Sequence, residues 1–100
     1  MPLVRVDLQD GFEHDAVTVR INGAVVVEEA DATTKTQISL AKLGEPRQVD
    51  AGSALIEVSV PSRSLQGEQA LQLAGDTYVG VSILDGRIAF RFSNEDHGYV

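Results

Sequence analysis

The sequence predicts an all-β fold: a two-sheet antiparallel β-sandwich of seven to eight short strands, forming one domain over residues 1–100. Three observations predict it. Apolar residues recur at every second position through most of the chain, and helical periodicity is nearly absent. Turn pairs such as Asn22-Gly23, Gly75-Asp76 and Asp85-Gly86 punctuate the alternating runs. The 100 residues, 43% of them hydrophobic, are enough for a single core, and no linker, repeat or low-complexity stretch divides them.

The elements follow in order. LVRVDL (3–8) sets Val4, Val6 and Leu8 on one face and Leu3, Arg5 and Asp7 on the other, and QDGF (9–12) turns the chain. AVTVRI (16–21) alternates through Val17, Val19 and Ile21 to Asn22-Gly23, where both residues tolerate positive φ, and AVVVEE (24–29) returns. A two-residue loop pairs Val19 with Val26. A three-residue loop pairs Ile21 with Val25 and Val19 with Val27, and the pattern leaves the register open. TQISL (36–40) offers a strand through Ile38 and Leu40, and AKLGEP (41–46) is a loop. RQVD (47–50) and SALIEVSV (53–60) read as a hairpin about Ala51-Gly52, with Ala54, Ile56, Val58 and Val60 on one face. PSRSLQGEQ (61–69) reads as the longest polar loop, and ALQLA (70–74) as a short strand. TYVGVSIL (77–84) and RIAFRF (87–92) close a hairpin at Asp85-Gly86. A two-residue loop there sets Ile83 opposite Ile88, Val81 opposite Phe90 and Val79 opposite Phe92, so Phe90 and Phe92 are assigned to the core.

Composition narrows the function classes. A formal charge of −7, from fifteen acids against eight bases, opposes the phosphate neutralisation that nucleic-acid binding needs, and it disfavours an anionic membrane surface. With no cysteine there are no disulfides, thiolate metal sites or cysteine nucleophiles, which fits a reducing, cytoplasmic compartment. MPLVRVDLQD lacks the basic region and apolar run of a signal peptide, and no apolar run reaches membrane-spanning length.

No catalytic constellation emerges, and no cofactor is expected. None of the serines stands in a G-x-S-x-G elbow, and there is no glycine-rich phosphate loop. The adjacent Glu28 and Glu29 point to opposite faces of a strand and cannot act as one dyad. His14 lies beside Glu13 and Asp15, and His97 beside Glu95 and Asp96. If the two ends met, His14, His97, Asp15 and Asp96 would form a weak metal or hydrolytic site. A small-ligand or glycan site would draw on Tyr78, Tyr99 and Arg91, with Phe12 as a further exposed aromatic. SNEDHGYV (93–100) reads as a docked tail anchored by Tyr99 and Val100.

Two surfaces look unfinished. Opposite the core face of the last hairpin stand Tyr78, Gly80, Ser82, Ala89 and Arg91, a low, flat patch with a strand glycine of the kind that admits a close neighbour. AVVVE presents apolar residues to both faces, Val25 and Val27 among them. Both patterns lead to the expectation of a non-enzymatic interaction or assembly module that forms a homo-oligomer or binds a protein partner.

LQDGFEHDAVTVRINGAVVV and GDTYVGVSILDGRIAFRF resemble the transthyretin-like (prealbumin-like) sandwiches and the carboxypeptidase-regulatory-type domains. The likeness is one of strand pattern over most of the chain, and it implies a β-sandwich. One enzyme family of that fold, the 5-hydroxyisourate hydrolases, ends in a Tyr-Arg-Gly-Ser tetrapeptide, whereas this chain ends in His97-Gly98-Tyr99-Val100. The resemblance therefore carries over no catalytic residue.

Overall fold

A computed structural model of the chain describes residues 2–95. They form β1 (Leu3–Leu8), β2 (Asp15–Ile21), β3 (Ala24–Ala32), β4 (Arg47–Gln48), β5 (Gly52–Val60), a 3₁₀ turn (Pro61–Arg63), β6 (Leu65–Leu73), β7 (Thr77–Leu84) and β8 (Arg87–Ser93). The strands make two four-stranded sheets, ordered β4-β1-β7-β8 and β3-β2-β5-β6. Strand alternation fills the space between them. Val4, Val6 and Leu8, with Val79, Val81 and Ile83, meet Val17, Val19 and Ile21, with Ala54, Ile56, Val58 and Val60, and all are buried. Among the described strands, only β1 and β7 run parallel; every other pairing is antiparallel.

The β7–β8 hairpin has the register its alternation demands, from Leu84↔Arg87 through Ile83↔Ile88 and Val81↔Phe90 to Val79↔Phe92. Asp85 and Gly86 both take positive φ, 52° and 72°, the twist that suits a two-residue hairpin loop. The Asn22-Gly23 hairpin combines both registers open to the sequence. Its loop has two residues, since Ile21 faces Ala24, but a bulge at Val26 then brings Val27 opposite Val19. Val25 thereby points out, 41% exposed, and Val27 points in, 6% exposed.

Four expectations need correction. Arg47–Gln48 does not pair with β5. It joins the edge of β1, and Gly52, at φ 111°, carries the chain across to the other sheet. Residues 36–40 are not a strand but a turn closed on Lys35, whose N–H donates to the Leu40 carbonyl, with Ser39 at φ 53°. The supposed long loop 61–69 is short, because β6 begins at Leu65 and pairs with β5 without interruption to Leu73. Its inward position at Gly67 is taken up by Ile88 of β8: a Cβ there would meet the Ile88 Cβ at 2.7 Å. Phe92 is not core either. It is 41% exposed and stacks on Phe90 near the end of β8.

Candidate functional site

Among the described residues, the densest polar cluster is built on Asp15, at the start of β2, where the residue's inward position buries it to 2% exposure. The 3₁₀ turn after β5 brings its partners. Arg63 donates from Nε to Oδ1 at 3.0 Å and from Nη2 to Oδ2 at 2.9 Å. The Ser62 hydroxyl donates to Oδ1 at 2.9 Å, and the Glu13 backbone N–H to Oδ2 at 2.8 Å. Arg63 Nη2 also donates to the Gly11 carbonyl. Burial alone would raise the Asp15 pKa. The Arg63 hydrogen bond, aided by those of Glu13 and Ser62 and by the guanidinium charge, outweighs it and holds the carboxyl below its ordinary 3.8. A carboxylate held ionised by four donors is a poor proton acceptor, and among the described residues no imidazole is hydrogen-bonded to Ser62 to activate it. The cluster is a clamp between the two loops rather than acid–base machinery.

A second buried carboxylate organises the outer face of the other sheet. Asp7, fully buried, accepts from Arg5 Nε and Nη2 at 3.1 and 3.0 Å and from the Gly44 N–H at 2.9 Å. Gly44 lies so close to β1 that a Cβ would overlap the Val6 carbonyl. The preceding residues also bind β1, with Ala41 N–H donating to the Leu8 carbonyl and Leu8 N–H to the Lys42 carbonyl. Residues 41–44 thus form a strap along and over β1.

The flat patch expected on the last hairpin is largely taken up within the chain. Gly80 is buried beneath Gln9, whose carboxamide a Cβ on Gly80 would overlap. Ser82 is 7% exposed, and its hydroxyl accepts from the Asp10 N–H at 3.1 Å. Tyr78 is half-buried under the Arg5 guanidinium, 4.9 Å from its ring centroid. With Val27 in the core, the expected interface residues that remain accessible are Val25, Arg91 and, in part, Tyr78 and Ala89. Gly80, Ser82 and Val27 do not belong to an exposed surface, because a loop and a bulge that short-range patterns do not show cover or reorient them.

The expected metal residues do not converge either. His14, 75% exposed, pairs through Nδ1 with Asp31 at 2.8 Å, while Asp15 turns inward to its clamp. His97 and Asp96, like the tail anchors Tyr99 and Val100, lie outside the described residues, within which no group of three or more potential ligands occurs. Phe12, expected to be exposed, is core at 3% exposure. A shallow concavity of about 440 Å³ on the outer face of β2, β5 and β6 is lined by Arg20, Glu57, Ser59, Gln66 and Glu68, with no nucleophile–base pair among them.

The surface that sequence reasoning missed is the side of the sandwich where β6 and β8 are the edge strands. Both are long and regular, nine and seven residues with no register shift. Leu71, Ile88 and Phe90 are only half-buried there, and Phe92 stacks on Phe90 with centroids 6.1 Å apart while staying exposed. A small hollow of about 190 Å³ opens beside Phe92, between Leu71, Thr77 and Ser93. The signal available in the sequence was the aromatic alternation of RIAFRF, which could not reveal that Phe92 stays exposed.

No family model matches the chain, and no curated protein or solved structure is significantly similar to it. No helix among the described residues is long and apolar enough to cross a membrane.

Proposed function

We propose that this chain is a non-enzymatic interaction module that binds a protein partner, or a second copy of itself, through the side bounded by β6 and β8. One observation carries the reading: two long, unbulged edge strands lie next to each other with Phe92 exposed between them. Bare edges of this kind are templates for another chain, and natural sandwiches otherwise blunt them. The two-sheet architecture also agrees with the fold that the transthyretin-like resemblance implies, and it supports that resemblance no further.

Light scattering on a sizing column, at low and high concentration, separates the two forms of the reading. A mass that rises with concentration, and that Phe92→Lys returns to a single chain, assigns self-association to this side. A single chain throughout directs the search to a different protein. Hydrogen exchange then decides the surface: a complex of either kind that leaves β6 and β8 unprotected overturns the proposal.

A further inference from the structure

We infer that the β8 edge receives an extended, acidic strand of a partner protein, with carboxylates on one face spaced to meet Arg87 and Arg91; this rests on reading the β6/β8 side as the interaction surface. The hairpin geometry fixes which groups are on offer. The two-residue turn bonds Leu84 to Arg87, and bonded pairs then alternate along the strand through Ser82/Ala89 and Gly80/Arg91. The N–H and C=O groups of Ile88, Phe90 and Phe92 therefore point away from β7, and none has a hydrogen-bond partner among the described residues.

Charge selects the occupant. β8 carries Arg87 and Arg91 and no acid, in a chain of net charge −7. Four positions apart, the two arginines share the outer face, about 13 Å from each other at about 3.3 Å per residue. Both are exposed, and among the described residues neither has an ion pair or a side-chain hydrogen bond. A second copy paired antiparallel about Ala89 would set Arg87 opposite Arg91. Pairing about Phe90 would place the two Arg91 side chains diagonally, and pairing about Arg91 directly opposite. Like charges so placed oppose pairing, whereas carboxylates there favour it. The chain's own acidic edge, β3, does not fit this role, because two register shifts break its line of bonding groups. The inner face of the incoming strand lies over Phe90 and Phe92, so its alternate residues are apolar. The net negative charge repels such a strand at a distance. Screening over about 8–10 Å leaves the contacting guanidinia dominant once it arrives.

The test uses the full chain and a synthetic peptide alternating glutamate and valine over the length of β8, followed by NMR-detected hydrogen exchange. The Ile88, Phe90 and Phe92 amides are expected to slow, and the affinity to fall as salt rises. Arg87→Glu with Arg91→Glu, both on the surface, should weaken this peptide at least about tenfold and transfer binding to a lysine–valine peptide. Equal protection by a threonine–valine peptide overturns the acidic selection while leaving the β8 edge as the surface. Protection of β8 that grows with chain concentration and needs no peptide makes a second copy the occupant, and the inference fails. If no peptide slows these amides, the inference fails, while the reading beneath it falls only if a complex leaves both β6 and β8 unprotected.

Discussion

On one side of the sandwich the edge strands are short or bulged and a loop binds over them; on the other they are long, without register shifts and, among the described residues, uncovered. β4 has two residues, and the rest of the β1 edge is occupied by residues 41–44. β3 is long but twice shifted in register, and its Glu29 reaches Lys42 of the strap at 3.5 Å, tying the two sheets together. Opposite, β6 and β8 pack against each other with Gly67 close under Ile88, and Phe92 of β8 stays exposed. The two sides share one core, so the difference lies in where buried polar groups hold a loop over an edge. The closed side uses a buried aspartate to seat a loop, and the open side keeps backbone groups and aromatic surface available.

The largest effect is expected from breaking the closed side. Asp7→Ala removes the acceptor of both Arg5 and the Gly44 N–H, leaving a half-buried guanidinium and a backbone donor without it. Loss of one partner of a buried pair costs about 3–5 kcal/mol, so urea denaturation should show a severe loss of stability. Released from Asp7, residues 41–44 should exchange their amides faster and bare the β1 edge. The variant would then resemble the open side on both flanks and aggregate with rising concentration.

Arg63→Met comes next. It strips the guanidinium from Asp15 and loosens the 3₁₀ turn that feeds β6, on the open side. Arg63 is 35% exposed, so solvent moderates the loss, to about 1–3 kcal/mol. The effect depends on pH in a definite direction. Asp15 has a folded pKa below its ordinary 3.8, so its stabilisation is fully present above about pH 3.8 and is lost as pH falls through the lower folded value. The stability gap between wild type and variant should therefore be constant near neutrality and shrink in acid. A gap that stays unchanged in acid would mean that Arg63 acts by packing alone.

Gly67→Ala probes how closely the open side is sewn. The added Cβ meets the Ile88 Cβ, which is not the free end of a flexible chain, so β6 and β8 must part. Overpacking of this kind costs about 1–3 kcal/mol, and the loss should appear as faster exchange in β6 and β8 before it appears globally. An unchanged melting temperature would show that the open side already has slack.

These contrasts mark what the sequence could and could not disclose. The β7–β8 hairpin was legible because apolar alternation and Asp85-Gly86 agree on one register. β6 was hidden because its inward positions include Gly67 and Gln69, which read as loop. There the constraint is the nearness of Ile88, a contact across the sheets that no local pattern encodes. TQISL alternates like a strand, yet its backbone closes on Lys35. Asp15 and Asp7 sit where sequence places them, one beside a histidine and one on the solvent side of a strand. Only the long-range returns of Arg63 and Gly44 give them structural work. Burial of the supposed interface at Gly80 and Ser82 likewise depends on Gln9 and Asp10 folding back over β7. The valine bulge combined two registers that alternation had offered as rivals.

The smallest stability effects separate the two sides most sharply. Lys42→Met breaks the partly exposed bridge to Glu29, and Phe92→Thr removes an aromatic that is only partly buried while keeping a strand-forming residue. Each should cost no more than about 1 kcal/mol. By thermal denaturation the two variants should be hard to tell apart. By association they should differ outright, since Lys42 holds the chain to itself, whereas Phe92 offers surface to something else. Phe92→Thr is expected to abolish binding at the β6/β8 side, whichever partner is used, and Lys42→Met to leave it unchanged. If both variants bind as the wild type does, the exposed phenyl group is a packing remnant, and binding at this side rests on the backbone edge and the arginines alone.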